Sequence, residues 1–120
     1  MDSRELTYKI QGCVFEVFRN LGAGFLEAVY QQALLRELRE AGLSAVPEQP
    51  INVYYKGEVV GEYRADIIVE NKVLLELKAQ TALPPTAEPQ LLNYLKATEI
   101  KIGLLVNFTH PKATIKRLVM

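Results

Sequence analysis

A short stretch in the middle of the chain carries two acids and a lysine at a spacing that can bind a metal ion. Asp66 precedes an apolar run, and Glu76-Leu77-Lys78 follow on the next one. If residues 70–72 form a hairpin loop, Asp66 lies opposite Glu76, and Lys78 shares their face. Opposed carboxylates repel each other, whereas Mg²⁺ and Mn²⁺ prefer carboxylate, carbonyl and water oxygens. The pattern predicts hydrolysis by a metal-activated water, with the lysine stabilising charge.

A solvated ion-pair network among Asp66, Glu76 and Lys78 is the alternative interpretation. Networks of this kind are common in proteins that bind no metal, and a short acidic pattern is unspecific. Arg64 falls on the face of Asp66 by alternation, so it is expected to contact either phosphate or a neighbouring acid. Three nearby aromatic residues are expected to pack against strands rather than to stack on bases. They are Tyr54, Tyr55 and Tyr63.

Charge and composition limit the classes of function. The chain has 14 Lys+Arg against 14 Asp+Glu, and its zero formal charge excludes nucleic-acid binding through bulk basicity. The charge is unevenly placed, with 12 acids and 8 basic residues up to residue 76 and 2 acids and 6 basic residues after it. The single cysteine, Cys13, excludes an internal disulfide. No apolar run reaches the roughly 20 residues of a membrane span, and the first residues do not resemble a signal peptide, so a cytoplasmic protein is expected.

Hydrophobic periodicity predicts the elements that position these residues. Spacings of three and four, with Gly42 as a terminator, predict helices, and period-two patterns predict strands. In chain order, the predicted elements are helices over 3–21 and 26–41, strands over 51–55, 59–69 and 73–78, a helix over 88–98, and strands over 102–106 and 114–119. This α-α-β-β-β-α-β-β order predicts one α/β domain over 1–120, an α+β mixed sheet with helices against its faces.

Burial is also predicted from the pattern. Alternation places an entirely apolar face on the central hairpin, and three-to-four spacing places Leu26, Val29 and Tyr30 on the buried side of the second helix. The apolar hairpin face consists of Ala65, Ile67, Val69, Val73, Leu75, Leu77 and Ala79.

In their order and spacing, the polar residues resemble the D…E-x-K…Q-x-x-x-Y signature of the PD-(D/E)XK nuclease superfamily, in its RecB-like branch. The matching residues are Asp66, Glu76, Leu77, Lys78, Gln90 and Tyr94. Residues 24–30, Gly-Phe-Leu-Glu-Ala-Val-Tyr, resemble the motif of the small bacterial GxxExxY proteins. The resemblance extends over about residues 5–119 and implies a restriction-endonuclease-like core, a mixed central sheet flanked by helices.

The resemblance also implies an activity, the Mg²⁺- or Mn²⁺-dependent cleavage of nucleic acid, with DNA expected before RNA. Asp66 and Glu76 resemble the metal-binding acids, with the main-chain carbonyl of Leu77 as a further ligand. Lys78 resembles the catalytic lysine. Glu27 resembles the helical acid that reaches the metal or its waters.

The match is less complete on the substrate side. Gln90 and Tyr94 resemble the pair that positions the site or contacts the phosphate backbone, but Ala87 and Pro89 depart from the pattern around them. A non-catalytic module that binds nucleic acid or a protein partner with the same face is therefore the alternative function. A homodimer through the predicted edge strand at 114–119 is a candidate assembly in either case.

Overall fold

The computed structural model describes all 120 residues and confirms the predicted order of elements. The elements are α1 Ser3–Leu21, α2 Glu27–Glu40, β1 Ala45–Tyr55, β2 Glu58–Val69, β3 Val73–Lys78, α3 Ala87–Thr98, β4 Ile102–Asn107 and β5 Thr114–Val119. The strands form one five-stranded sheet in the order β1-β2-β3-β4-β5. Only β3 and β4 run parallel, with α3 as the connection between them. None of the helices has both the length and the apolar character that crossing a bilayer requires.

The larger part of the core lies between the sheet and the first two helices. α1 begins after Asp2, whose carboxylate caps the helix by accepting the Glu5 N–H at 2.9 Å. α2 ends at Glu40 and is followed by Gly42, which has a φ of 83°, and the N–H of Leu43 donates to the Leu38 carbonyl at 3.0 Å. This Schellman cap turns the chain from α2 into β1 and packs both helices on one face of the sheet.

α3 covers the opposite face. It buries a smaller cluster that includes Leu74, Leu91 and Leu105. A Cβ atom at Gly103 would lie 2.9 Å from Cδ1 of Leu91, so the missing side chain lets α3 approach β4 closely. The two faces of the sheet therefore carry separate clusters, and the helix with Gln90 and Tyr94 lies on the second.

The first strand is longer than predicted, since it begins at Ala45 rather than at residue 51. The first half was not predicted because it contains Pro47 and Pro50, and proline has no N–H and is depleted in strands. Both are accommodated because β1 is an edge strand of the sheet.

An irregularity at Glu48 changes the alternation of β1 and β2. Glu48 has a φ of 52°, and the ladder pairs the residues on either side of it with Ile67 and Ala65 while Glu48 and Asp66 stay unpaired. Ala65 is consequently buried in the α3-side cluster, whereas Ile67 is buried on the side of α1 and α2. The prediction that both share one face is wrong because strict alternation is interrupted between them.

The first turn of α2 is also more exposed than predicted. Leu26 is 80% exposed and Val29 is exposed as well, so the buried face begins only at Tyr30. Leu26 is the N-cap residue and has an extended backbone, with φ −72° and ψ 155°, so it lies outside the helical repeat that predicted its burial.

Candidate active site

The regular ladder between β2 and β3 ends where the two predicted acids begin. The predicted pairs up to Ile67 with Leu75 are confirmed, but Asp66 and Glu76 are not ladder partners. Each carboxylate binds main chain instead. The Leu77 N–H donates to Oδ2 of Asp66 at 2.7 Å, and the Asp66 N–H donates to Oε1 of Glu76 at 3.4 Å. The strands separate here, and these bonds hold both acids at the point of separation.

The two acids line a cavity of about 250 Å³ between α2 and the sheet. Four of its lining residues are acidic and one is basic, which makes it a strongly electronegative concavity. The lining consists of Glu27, Ala28, Gln31, Glu48, Asp66, Glu76, Leu77 and Lys78. The structure thus brings together five residues predicted for the site, and it adds Gln31 and Glu48.

Lys78 does not neutralise these acids through ion pairs. The salt bridges of the molecule all join exposed or partly exposed side chains elsewhere, and none includes Lys78, Asp66 or Glu76. They are Arg19–Glu16, Arg36–Glu40 and Lys116–Glu88. The alternative interpretation, a network of salt bridges among Asp66, Lys78 and Glu76, therefore has no such bridge in this structure, although the positive charge of Lys78 lowers the pKa of both acids.

Burial and nearby negative charges raise the pKa values of both acids. Glu76 is only 7% exposed, and burial together with the negative charge of Asp66 raises its pKa to about 8. Burial also raises the pKa of Asp66, against the hydrogen bond from Leu77, and the charges of Glu48 and Glu27 raise it further. A bound cation favours the ionised form of both carboxylates. Binding a cation at this site is therefore expected to be favourable.

The donor set fits a hydrated divalent cation rather than a closed cage. No three His, Cys, Asp or Glu side chains lie close enough together to hold an ion alone. Mg²⁺ usually takes one or two protein carboxylates and keeps several waters. Asp66 and Glu76, with the main-chain carbonyl of Leu77, could supply such a set. Glu27 lines the cavity but does not complete the three-acid cluster that its predicted role as a direct ligand implies.

Gln31 ties α2 to the acid-bearing strand. Its Nε2 donates to the main-chain carbonyl of Asp66 at 2.9 Å and to Oε1 of Glu48 at 3.0 Å. Gln31 follows Glu27 by four residues, so both project from one face of α2, and this spacing was a usable signal in the sequence. Glu48 gave no such signal, since it lies in the half of β1 that was not predicted.

Tyr30 fixes the loop that leads to Glu27. Its buried ring stacks on Phe108 with the centroids 4.3 Å apart. Its hydroxyl donates to the Gly22 carbonyl at 2.6 Å and accepts the Phe25 N–H at 3.3 Å. The tyrosine that ends the motif at residues 24–30 is therefore a positioning residue for the first turn of α2.

The end of β3 is held equally firmly. The main-chain carbonyl of Lys78 accepts the Phe108 N–H at 2.8 Å, and Lys78 pairs with Asn107 in the parallel ladder. The side chain of Asn107 exchanges two hydrogen bonds with the main chain of Gln80, at 2.8 and 3.0 Å. The main chain that carries Lys78 is thus fixed on both sides of the residue.

Of the three residues predicted to position the substrate, Gln90 and Tyr94 form a hydrogen-bonded pair on α3, but none of the three lines the cavity. Nε2 of Gln90 donates to the Tyr94 hydroxyl at 2.6 Å. Burial raises the pKa of Tyr94, the hydrogen bond from Gln90 opposes this, and the charges of the two buried acids raise it further, so Tyr94 lies within their electrostatic range. Arg64 is exposed, makes one long hydrogen bond of 3.5 Å to the Glu48 carbonyl, and does not line the cavity.

A comparison with models of protein families identifies the superfamily of this chain. The model of the PD-(D/E)XK nuclease superfamily matches residues 4–118. The chain belongs to the PD-(D/E)XK nuclease superfamily. Members of this superfamily typically use divalent metal ions, which agrees with the acid-lined cavity of this PD-(D/E)XK protein.

Two solved structures share the fold of this PD-(D/E)XK chain. The alkaline exonuclease LHK-Exo from Laribacter hongkongensis has a TM-score of 0.57 and 12% identity, covering 98% of this chain and 70% of that one. The crystal structure of SSO0001 has a TM-score of 0.58 and 19% identity, covering 77% of this chain and 48% of that one. The chain thus spans about half the length of SSO0001. No functionally curated relative matches the sequence. The predicted restriction-endonuclease-like fold is confirmed.

Proposed function

We propose that this protein is a Mg²⁺- or Mn²⁺-dependent nuclease that hydrolyses phosphodiester bonds at the acid-lined cavity. One observation carries the proposal. Asp66 and Glu76 converge on a cavity whose single basic residue, Lys78, pairs with neither of them. Burying carboxylates without a basic partner costs stability, so fold maintenance does not account for the arrangement. A cation-binding site does account for this arrangement of carboxylates.

Each residue has a separate role in this proposal. A divalent cation held by Asp66, Glu76 and the Leu77 carbonyl would polarise a phosphoryl oxygen and lower the pKa of a water. Lys78, free of any carboxylate partner, offers its ammonium group to the negative charge that develops on the phosphate. Glu27 faces the same cavity from α2 and can accept hydrogen bonds from waters there.

The hydrogen-bonded pair on α3 is assigned to substrate positioning. Because Gln90 donates to the Tyr94 hydroxyl, the phenol proton remains available for a phosphate oxygen. The raised pKa of Tyr94 keeps that proton in place. Arg64 is expected to contribute less than the sequence predicted, because it lies outside the cavity.

The proposal includes a finer classification. We place the chain, as one domain over residues 1–120, with the GxxExxY proteins of the RecB-like branch. The support is the part that the motif at residues 24–30 plays. Gly24 has a φ of 109°, and Glu27 lines the cavity. The Tyr30 hydroxyl donates to the carbonyl of Gly22, the residue that follows α1, and so closes the loop that contains Gly24.

Cleavage assays with matched variants test the proposal. With Mg²⁺ or Mn²⁺ the parent protein should cleave DNA, and the addition of EDTA should stop the cleavage. Asp66→Asn and Glu76→Gln should each cleave roughly 100-fold more slowly or worse. The control is Glu62→Gln, which removes an exposed acid of β2 that lies outside the cavity and should leave the rate unchanged. If the parent cleaves no form of DNA or RNA with either ion, the proposal is wrong.

Calorimetry separates the nuclease from a non-catalytic module. The nuclease proposal requires a heat of Mn²⁺ binding that Glu76→Gln abolishes, whereas the module requires none that depends on Glu76. DNA and RNA oligonucleotides of one sequence test the expected preference for DNA. A homodimer through β5, whose outer edge is unpaired in the sheet, is tested by light scattering on the purified protein.

A further inference from the structure

The tyrosines that were predicted to pack against strands are exposed. Tyr54 is 63% exposed, Tyr55 61% and Tyr63 48%. They lie on the ribbon of β1 and β2 that extends beyond β3, because β3 pairs with β2 only at residues 67–69. The ribbon contains a bulge, where the register shifts between Val53 and Tyr54. Several aromatic side chains exposed on one two-stranded ribbon indicate a binding surface.

Two of these tyrosines line a groove of about 550 Å³ between the ribbon and α3. Tyr54 and Tyr63 line it together with Asn52 and Asn93. Lys96 is its one charged lining residue, so the groove is cationic, in contrast to the acidic cavity on the other side of β2. Its chemistry combines flat aromatic faces, hydrogen-bonding amides and a positive charge.

The groove adjoins the residues assigned to substrate positioning. The ring of Tyr63 lies against that of Tyr94, with the centroids 5.3 Å apart and the planes inclined by 43°. Tyr94 in turn accepts the hydrogen bond of Gln90. Tyr63 therefore links the groove to the buried Tyr94, the residue that the proposed function assigns to substrate positioning.

We infer that this groove binds a single-stranded segment of nucleic acid, with bases stacked on Tyr54 and Tyr63 and a phosphate held by Lys96. Aromatic platforms next to a cationic side chain are how proteins grip single strands. A duplex fits the chemistry poorly, because its bases are covered by their neighbours and leave no free face for a tyrosine. The inference rests on the proposed nuclease function and specifies its substrate class as single-stranded ends or regions.

Binding of fluorescent oligo-dT, followed by anisotropy in EDTA, tests the groove without cleavage. Tyr54→Ala and Tyr63→Ala should each raise the Kd by roughly 5- to 100-fold, and Tyr63→Phe should restore the parent value. Lys96→Gln should make the dependence of log Kd on log salt shallower by about 0.7. The matched control is Tyr55→Ala, since Tyr55 lies on the same ribbon with similar exposure but does not line the groove.

The result that would overturn the inference is independent of cleavage. If Tyr54→Ala and Tyr63→Ala bind oligo-dT as tightly as Tyr55→Ala does, the groove is not a single-strand site, and a protein segment becomes its better occupant. If the same variants also cleave DNA at the parent rate, the nuclease proposal stands while the groove assignment falls. Tighter binding of a duplex than of the matching single strand would overturn the inference as well.

Discussion

Glu76 accepts a hydrogen bond from the main-chain N–H of Asp66 at 3.4 Å, while the negative charge of the Asp66 side chain raises the pKa of Glu76. The main chain of one acid thus supports the carboxylate that its own side chain repels. Gln31 holds the main-chain carbonyl of Asp66, and Glu76 pairs with Leu105 of β4, so main-chain contacts keep the two acids close together despite the repulsion. A proton or a metal ion bound to the acids can relieve the repulsion. The stability of the protein therefore depends on both pH and metal concentration.

The metal-free protein is expected to lose stability as the pH rises from about 5 to about 8. The folded pKa of Glu76 is about 8, against an ordinary 4.5, so over this interval the folded chain keeps a proton that the unfolded chain releases. The free energy of unfolding therefore falls with rising pH until the folded form has also ionised. The raised pKa of Asp66 acts in the same direction. Urea unfolding in EDTA across this range measures the slope.

Glu76→Gln is the informative variant for this dependence. An amide of the same shape carries no charge, so the variant should be more stable than the parent near pH 8 and nearly equal to it near pH 5. Glu62→Gln, at an exposed position, should retain the parent slope. A parent stability that rises between pH 5 and 8 would contradict the buried, repelled state of Glu76.

Mn²⁺ is expected to stabilise the parent protein, and more strongly at pH 8 than at pH 6. The ion competes with the proton for Glu76, so raising the pH removes the competitor and increases the apparent affinity. A ligand that binds only the folded chain raises the thermal midpoint with its concentration. Thermal unfolding with and without Mn²⁺ checks this. A midpoint that rises equally in Glu76→Gln would show that the ion binds elsewhere.

Lys78→Met should separate catalysis from metal binding. It removes the one cationic group of the cavity, so cleavage should fall by roughly 100-fold or more, while Mn²⁺ affinity should stay equal or increase because a repelling charge is gone. Cleavage rates and calorimetry on the same preparation measure both. Lys72→Met, in the exposed turn between β2 and β3, should change neither. Loss of Mn²⁺ binding in Lys78→Met would indicate a structural role for the lysine.

The central acids could be predicted from the sequence because they lie on one hairpin. Alternation and a short turn are local properties, and they brought Asp66, Glu76 and Lys78 together without any knowledge of the rest of the fold. Glu27 lies on a distant helix, and only the resemblance of residues 24–30 to a known motif connected it to the site.

The remaining features depend on tertiary packing. Gln31 reaches the main chain of Asp66 only because α2 packs across the sheet. Glu48 reaches the cavity through a left-handed backbone conformation in an edge strand, which no propensity rule anticipates. The same irregularity defeats the prediction for Ala65, since alternation holds only where the strand is regular. The exposure of the ribbon tyrosines likewise follows from the shortness of β3, a relationship between strands rather than within one.

Tyr30→Phe should weaken the fold and the site together. The substitution keeps the ring on Phe108 but removes the hydroxyl that bridges Gly22 and Phe25, so the free energy of unfolding should fall by about 1–2 kcal/mol. Cleavage should also decline, because the loop that presents Glu27 is less well fixed. Urea unfolding and cleavage rates measure the two effects. Tyr8→Phe, at an exposed position of α1, should alter neither, and unchanged stability in Tyr30→Phe would contradict the bridging role.

Replacing glycine by alanine should have opposite effects on the free energy of unfolding at Gly103, where α3 lies close to the sheet, and at Gly12 in α1. Gly103→Ala would bring a Cβ to 2.9–3.1 Å from three side-chain atoms of the fully buried Leu91, so Leu91 or α3 would have to shift. The free energy of unfolding should fall by about 1–3 kcal/mol. At Gly12, in α1, nothing lies within 4 Å, so Gly12→Ala should raise it by about 0.5–1 kcal/mol through helix propensity. Urea unfolding measures both.

A second variant distinguishes crowding from a general intolerance of Gly103. Leu91→Val shortens the side chain that the new methyl group meets, so the double variant with Gly103→Ala should be less destabilised than the sum of the single changes. Because α3 carries Gln90 and Tyr94, Gly103→Ala should also slow cleavage, and Leu91→Val should recover part of that loss. If Gly103→Ala stabilises the protein as Gly12→Ala does, α3 does not lie as close to β4 as the substrate-positioning role requires.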